Sequence, residues 1–204
     1  MEKGKQFELT YYSDKGKAEG RTEYEISDKR EMVNGMLSVV HMKSFDKKDK
    51  LALETDFEVR CENGVFSVDI RGILNGAQME QIKAMEGMDV SVTTVDLEIP
   101  SSLSVGDQLK DGSLEMKMNA SGGGMTLMSF NTYITNRKVE GRESVTTPAG
   151  TFECFIISSE IQAKSGFINM NYESKEWIAE NVGVVRSESY RKGKLEGYTE
   201  LTKF

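Results

Sequence analysis

Few side chains in this sequence are of a type that carries out catalysis. His41 is the one histidine among 204 residues, which excludes metal sites built from several histidines. A catalytic histidine also needs a nucleophile and an orienting carboxylate beside it, and no Gly-x-Ser-x-Gly motif supplies the nucleophile. We therefore predict that the protein is not an enzyme and that His41 is a structural or surface residue.

The two cysteines, Cys61 and Cys154, allow at most one internal disulfide. Each stands in an alternating apolar run, which predicts a buried side chain. Two separate buried thiols are the interpretation we favour, because a disulfide requires Cα atoms within about 7 Å of each other. A disulfide between them remains the alternative, and two cysteines do not indicate the cellular compartment.

Acidic and glycine-rich segments offer no cofactor site. Asp107 and Asp111 are separated by residues that include Leu109 and Lys110, so they lack the alternating ligands and closing glutamate of a calcium loop. Ser121-Gly122-Gly123-Gly124 has no lysine after it, which favours a turn over a phosphate-binding loop. We therefore predict neither a metal nor a cofactor.

Methionine is the residue in excess, with 12 in the chain. Many of the methionines fall in one segment, and the predicted ligand-binding residues are Met79, Ile82, Met85, Met88, Met116, Met118, Met125 and Met128. Flexible thioethers suit a cavity that accepts varied apolar ligands, so the segment predicts a site for a lipid or another apolar small molecule. The alternative is an ordinary core, in which methionine fills irregular gaps between a helix and a sheet.

The charge balance excludes other classes of partner. The chain has 33 acidic and 26 basic side chains and a net charge of -7, which repels phosphate backbones, so we expect no nucleic-acid partner. No apolar stretch reaches the roughly 20 residues of a membrane-spanning helix, and the chain is not predicted to be transmembrane. Its first five residues lack the apolar core of a signal peptide, which leaves either a cytosolic chain or an exported chain without its leader.

β-Hairpins are the elements predicted to position these residues. Asn63-Gly64 separates two alternating apolar runs and predicts a two-residue type I′ turn. The resulting pairs are Cys61 with Phe66, Val59 with Val68, and Phe57 with Ile70. Further hairpins are predicted around Lys15-Gly16, with Phe7 opposite Tyr24, and around Lys192-Gly193. Apolar and β-branched runs predict additional strands at 36–45, 51–56, 90–99, 114–120, 125–136, 151–161 and 168–178.

One segment, residues 76–86, has helical rather than alternating periodicity. Met79, Ile82 and Met85 fall on one stripe, with Asn75 as the N-cap and Gly87 as the C-terminal stop. The remaining elements are strands joined by hairpins, without βαβ alternation. We therefore predict one all-β domain over residues 1–204, a strongly curved antiparallel sheet that forms a half-barrel or open barrel, with the short helix against its concave side.

Six segments, taken in order, carry a resemblance to known proteins: 57–70, 97–101, 105–112, 136–139, the Thr-Pro-Ala-Gly-Thr-Phe sequence at 147–152, and 177–188. In these segments the chain resembles a family of exported β proteins of unknown function, common in Bacteroidetes and sometimes named TapB-like, over residues 7–204. The resemblance implies a secreted, periplasmic or envelope-associated protein with a signal peptide and a curved sheet like that of lipoprotein carriers. It implies no catalytic residues.

Two functional hypotheses follow from the methionines and the resemblance. The leading hypothesis is a non-catalytic exported protein that binds a lipid or other apolar ligand in a cavity between the curved sheet and the helix near 76–86. The competing hypothesis is an envelope structural or protein-interaction module with a dry core and no ligand.

Overall fold

The computed structural model describes residues 2–68, 88–120 and 126–204, and every regular element in these ranges is a β-strand. The strands are β1 (Gln6–Ser13), β2 (Ala18–Met32), β3 (Gly35–Asp46), β4 (Leu51–Glu62), β5 (Val65–Val68), β6 (Met88–Val95), β7 (Leu97–Pro100), β8 (Gly112–Ala120), β9 (Thr126–Thr147), β10 (Gly150–Ser165), β11 (Ile168–Ala179), β12 (Gly183–Arg191) and β13 (Lys194–Lys203). They form one antiparallel sheet in the order β6-β8-β9-β10-β11-β12-β13-β1-β2-β3-β4-β5-β7. The predicted helix at 76–86 lies outside the described residues.

Strands β6 and β7 bring the two edges of this sheet together. Only Asp96 separates them in the chain, yet β6 pairs with β8 at one edge and β7 pairs with β5 at the other. One short segment therefore belongs to both edges, and the sheet curls into a nearly closed barrel that leaves little open edge for aggregation. The predicted all-β, strongly curved antiparallel sheet is confirmed, and the single strand predicted at 90–99 is corrected to two strands.

The turns predicted from the sequence join the strands of the hairpins. Asn63 and Gly64 adopt φ values of 49° and 75°, as a type I′ turn requires, and β4 and β5 pair as predicted, Cys61 with Phe66 and Val59 with Val68. The third predicted partner, Ile70, lies outside the described residues. The hairpins around Lys15-Gly16 and Lys192-Gly193 are also present, with Phe7 opposite Tyr24.

Cross-strand pairing defines one face of the sheet that we name the core face. Residues directly opposite each other on neighbouring antiparallel strands point to the same side, so Val139 and Ile157 share a face, as do Ile26 and Val40. These four side chains are between 0% and 2% exposed. The alternate residues of β1 to β4 carry mostly charged side chains, so that the sheet has the polar and apolar sides expected of an amphipathic antiparallel barrel.

The cysteines lie in different surroundings. Cys154 is wholly buried in a cluster with Trp177, Ala179 and Val185. Cys61 is half-buried in β4, so it is less buried than the sequence predicts. Both are free thiols.

Candidate ligand-binding site

The predicted methionine site is described only in part. Met79, Ile82, Met85 and Met125 lie outside the described residues, and Met88 is placed by its backbone alone, as the first residue of β6. Met116 and Met118 share one face of β8, opposite Phe130 and Met128 of β9. The structure thus brings Met116, Met118 and Met128 together on adjacent strands.

The same face continues across β9, β10 and β11 as an apolar surface. Ile134 pairs with Ile161, which pairs with Tyr172, and one step along the strands Thr132, Ala163 and Met170 form the next row. We name this surface the apolar wall; its members are Leu114, Met116, Met118, Met128, Phe130, Ile134, Ile161, Met170, Tyr172 and Ile168. Because Ile161 stands four residues after Ile157 on the same strand, the wall belongs to the core face.

Exposure along the apolar wall rises towards one end of the strands. Met128 of β9 and Ile168 of β11 are 53% and 62% exposed, whereas Leu114 is 4% exposed; Met118 of β8, directly opposite Met128, is itself only 9% exposed. Phe130, Met116 and Met170 are half-buried. The core face therefore meets solvent at the end of the barrel that carries Met128 and Ile168, and we name this end the mouth.

At the other end of the wall lies a buried arginine. Arg137 of β9 is 2% exposed, and its Nη1 donates hydrogen bonds to the carbonyl oxygens of Lys110, at 2.7 Å, and Glu98, at 3.0 Å. Glu98 belongs to β7, so the bond fastens β9 to the segment that closes the barrel. Burial lowers the pKa of Arg137, an effect opposed by the charges of Glu176, Asp111 and Glu98.

Glu176 of β11 is the second charged group on this part of the core face. It pairs with Ile157 on one side and with Ser187 on the other. Burial raises the pKa of its carboxyl group, and the nearby charge of Arg137 opposes this shift. The side chain points to the core face and is half-buried rather than fully buried, so part of it stays accessible from the inside of the barrel.

Small residues surround Glu176 on the core face. Ser174 lies two residues before Glu176 on β11. It belongs to a row of directly paired residues that crosses β10, β11, β12, β13 and β1, namely Ser159, Ser174, Ser189, Gly197 and Ser13. None of these side chains is larger than a hydroxymethyl group, so the row leaves room above the sheet. The Tyr11 side chain takes part of that room, lying over Gly197. We name Arg137, Glu176, Ser159, Ser174 and Ser187 the polar floor.

Sequence reasoning missed the polar floor. Arg137 is one of 26 basic residues and Glu176 one of 33 acidic residues, and only the sheet register shows that both point to the core face. The one local signal is Asn136, which adopts a φ of 53° at a register shift of β9 and places Arg137 on the same face as Val139.

His41 lies apart from this site, between two acidic side chains of β4. Its Nδ1 is 2.7 Å from an Asp56 oxygen and its Nε2 is 3.0 Å from a Glu54 oxygen. The hydrogen bond to Asp56, followed by the charges of both acids, raises the pKa of His41. Both ring nitrogens are therefore engaged by carboxylates, and the structural role of His41 stays a prediction.

A depression of about 480 Å³ lies beside His41, Lys43 and Lys203. Its most buried acid, Glu8, already accepts hydrogen bonds from Lys203 at 2.7 Å and Thr202 at 2.8 Å. Burial alone raises the pKa of Glu8, but these bonds and the neighbouring cations hold it below its usual value. Because its polar groups are paired with each other, this depression is the weaker candidate for a ligand site.

Two classes of feature are not found in the part of the chain that the structure describes. No group of three or more histidine, cysteine, aspartate or glutamate side chains is arranged to hold a metal ion. No helix in the same ranges has the length and hydrophobicity of a membrane span.

Comparison with known proteins gives a family and a fold. A family model described as DUF3108-like matches residues 2–201. A candidate exported protein with a YmcC-like fold from Bacteroides fragilis is 24% identical, with a TM-score of 0.77 over 99% of this chain and 95% of that one. A candidate lipoprotein from Parabacteroides distasonis is 22% identical, with a TM-score of 0.78 over the same shares of the two chains. No curated protein matches the sequence.

These matches confirm part of the resemblance read from the sequence. Both solved relatives come from Bacteroidetes and share the barrel-like fold. The name TapB-like stays a prediction.

Proposed function

The chain belongs to the DUF3108-like family, and we propose that it is a non-catalytic exported protein that binds a lipid or another apolar molecule along the apolar wall. The observation that carries the proposal is the exposure of Met128 and Ile168, 53% and 62%, on the face that elsewhere forms the core. Apolar side chains that point inward and still meet solvent are expected where a hydrophobic ligand enters.

The composition of the wall supports an apolar ligand of variable shape. Met116, Met118, Met128 and Met170 supply flexible, polarisable side chains, which adapt to ligands better than branched ones do. Export is supported by the names of the two solved relatives, an exported protein and a lipoprotein. We extend both properties to this chain as part of the proposal, and the residues Met79, Ile82, Met85, Met88 and Met125 are proposed to complete the site.

Native mass spectrometry of protein purified from its own host tests the proposal. We expect a population heavier than the apoprotein and an apolar molecule in the organic extract. Met128→Gln replaces an exposed methionine of the mouth by a polar side chain of similar size, and it should weaken binding of an environment-sensitive apolar dye. Val33→Gln is the matched control, because Val33 is 99% exposed in the turn between β2 and β3.

Two results would overturn this function. One is protein that carries no extractable molecule and binds no apolar dye. The other is dye binding that Met128→Gln and Val33→Gln leave equally unchanged.

An envelope interaction module is the second candidate. Leu127 and Phe167 favour it, because beside the mouth Leu127 is 51% exposed and Phe167 is fully exposed. Exposed apolar clusters of this kind also serve as protein contacts. A stable protein partner recovered from envelope extracts, lost in Phe167→Ser and retained in Met128→Gln, would support this candidate over ligand binding.

A further inference from the structure

The Glu176 carboxylate has acceptor capacity that the protein leaves unused. No described residue donates a hydrogen bond to it, and its one electrostatic partner is the charge of Arg137, which lies beyond ion-pair distance. Carboxylates that face a protein interior nearly always accept a hydrogen bond from protein, water or a ligand. Since Glu176 is half-buried on the core face, between Ile157 and Ser187, a molecule inside the barrel is positioned to supply that donor.

The charges around the polar floor restrict what kind of head group it accepts. The charge of Arg137 is attracted electrostatically by three acids, Glu176, Asp111 and Glu98. Lys110 forms an ion pair with Glu98 at 2.7 Å. With all these groups ionised, acids outnumber bases, so an anionic head group meets net repulsion. A cationic head group is attracted by this balance, but it must give up its hydration shell next to the buried charge of Arg137. An uncharged donor avoids both costs.

The small residues of the floor provide space and further hydrogen-bonding groups for such a head group. Ser174 and Ser159 lie in the row next to Glu176, and Ser187 lies directly opposite it. Serine hydroxyls both donate and accept, which suits the hydroxyl groups of a polyol.

The apolar wall begins immediately beyond this row. Along β11 the core face presents Ser174, Tyr172, Met170 and Ile168 in turn, and Ile168 is at the mouth. Ile168 lies eight positions before Glu176, which corresponds to about 27 Å at about 3.4 Å per residue. A molecule with a polar head at Glu176 therefore has an apolar path of that order for its tail.

We propose that the ligand is a neutral amphiphile whose hydroxyl-bearing head group donates a hydrogen bond to Glu176 on the polar floor, while its hydrocarbon tail runs along the apolar wall to the mouth. This assignment rests on the function proposed above and adds the class of head group.

Binding of three probes with one common tail tests the assignment. Monooleoylglycerol, oleate and oleylamine present a neutral, an anionic and a cationic head group. At pH 7 we expect monooleoylglycerol to bind at least tenfold more tightly than either charged probe. Glu176→Leu should weaken monooleoylglycerol binding about tenfold, which is the effect of about one lost hydrogen bond, and it should narrow the difference between the probes.

Glu173→Gln is the matched control, since Glu173 lies on the same strand, is exposed, and alternation places it on the opposite face. If Glu176→Leu does not fold, Glu176→Gln serves instead, because it keeps the side-chain shape and removes the charge. Glu176→Gln should then bind oleate more tightly than wild type does, because the charge that repels the oleate carboxylate is removed.

The outcomes separate this inference from the function beneath it. If none of the probes binds, both the function and the head-group assignment fail. If oleate binds as tightly as monooleoylglycerol, or if Glu176→Leu and Glu173→Gln behave alike, apolar binding stands and the head-group assignment is overturned.

Discussion

Arg137→Met is the substitution whose effect the structure predicts most directly. Arg137 donates hydrogen bonds to the carbonyl oxygens of Lys110 and Glu98, and it is the opposing charge for buried Glu176. Methionine fills similar space, so the main loss is electrostatic. Losing hydrogen bonds from a charged donor costs about 1.5–3 kcal/mol each, so the two together are a large share of the stability of a typical domain, about 5–15 kcal/mol.

Lys138→Met, at the next residue of β9, is the matched control. Lys138 forms an exposed ion pair with Glu140 at 3.2 Å, and such pairs contribute at most about 1 kcal/mol. Urea unfolding, followed by the fluorescence of the single tryptophan, Trp177, compares the two variants; Trp177 adjoins Glu176 and is buried. We expect the free energy of unfolding to fall several times further in Arg137→Met.

The double variant Arg137→Met/Glu176→Gln identifies the physical cause. If an uncompensated carboxylate accounts for part of the loss, adding Glu176→Gln should restore about 1–3 kcal/mol of the free energy of unfolding. Equal destabilisation by Arg137→Met and Lys138→Met would refute the stabilising role of the Arg137 hydrogen bonds to Lys110 and Glu98, the clamp that joins β9 to the barrel closure. Failure of Glu176→Gln to restore any stability would refute the coupling between the two charges.

Three further predictions concern single positions. Gly197→Ala should destabilise by about 1–3 kcal/mol, because a Cβ would lie 2.7 Å from the Tyr12 carbonyl oxygen; Gly141→Ala, with 3.8 Å of clearance, is the control in thermal unfolding. Glu176 has a raised folded pKa, so wild type should lose stability relative to Glu176→Gln as pH rises above about 4.3. Because the pKa of His41 is raised in the folded state, its protonation stabilises the folded protein most below about pH 6.5. Urea titrations should therefore show wild type to be more stable than His41→Gln at low pH, by less than about 1 kcal/mol, and this difference should shrink towards pH 9.

Local sequence patterns were enough to predict the strands and most hairpins, because their causes are local. Asn63-Gly64 adopts positive φ at low cost, and this fixes the register of β4 against β5. The strand that follows the Thr-Pro-Ala-Gly segment, β10, is buried on both sides. In the structure Cys154 packs with Trp177, while the alternate residue Ile157 packs with Val139 and Leu109.

Long-range pairing is what the sequence did not show. The division of 88–100 between β6 and β7 depends on which strands lie at the two edges of the sheet, a property of the whole chain. The length of β9, Thr126–Thr147, was also missed, because the register shifts near Asn136 and Gly141 interrupt its alternation. The same shifts turn Arg137 inward, so its role was missed for the same reason.

Glu176 is the residue that stability alone does not explain. Both hydrogen bonds of Arg137 go to backbone carbonyl oxygens, so the clamp across the barrel closure does not require an acid opposite it. The raised pKa of Glu176 means that burial of its charge costs more than the attraction of Arg137 returns. An apolar or amide side chain at this position would remove that cost. A half-buried carboxylate that faces inward among small serines therefore fits the proposed ligand site, in which a hydroxyl-bearing molecule would supply the hydrogen-bond donor.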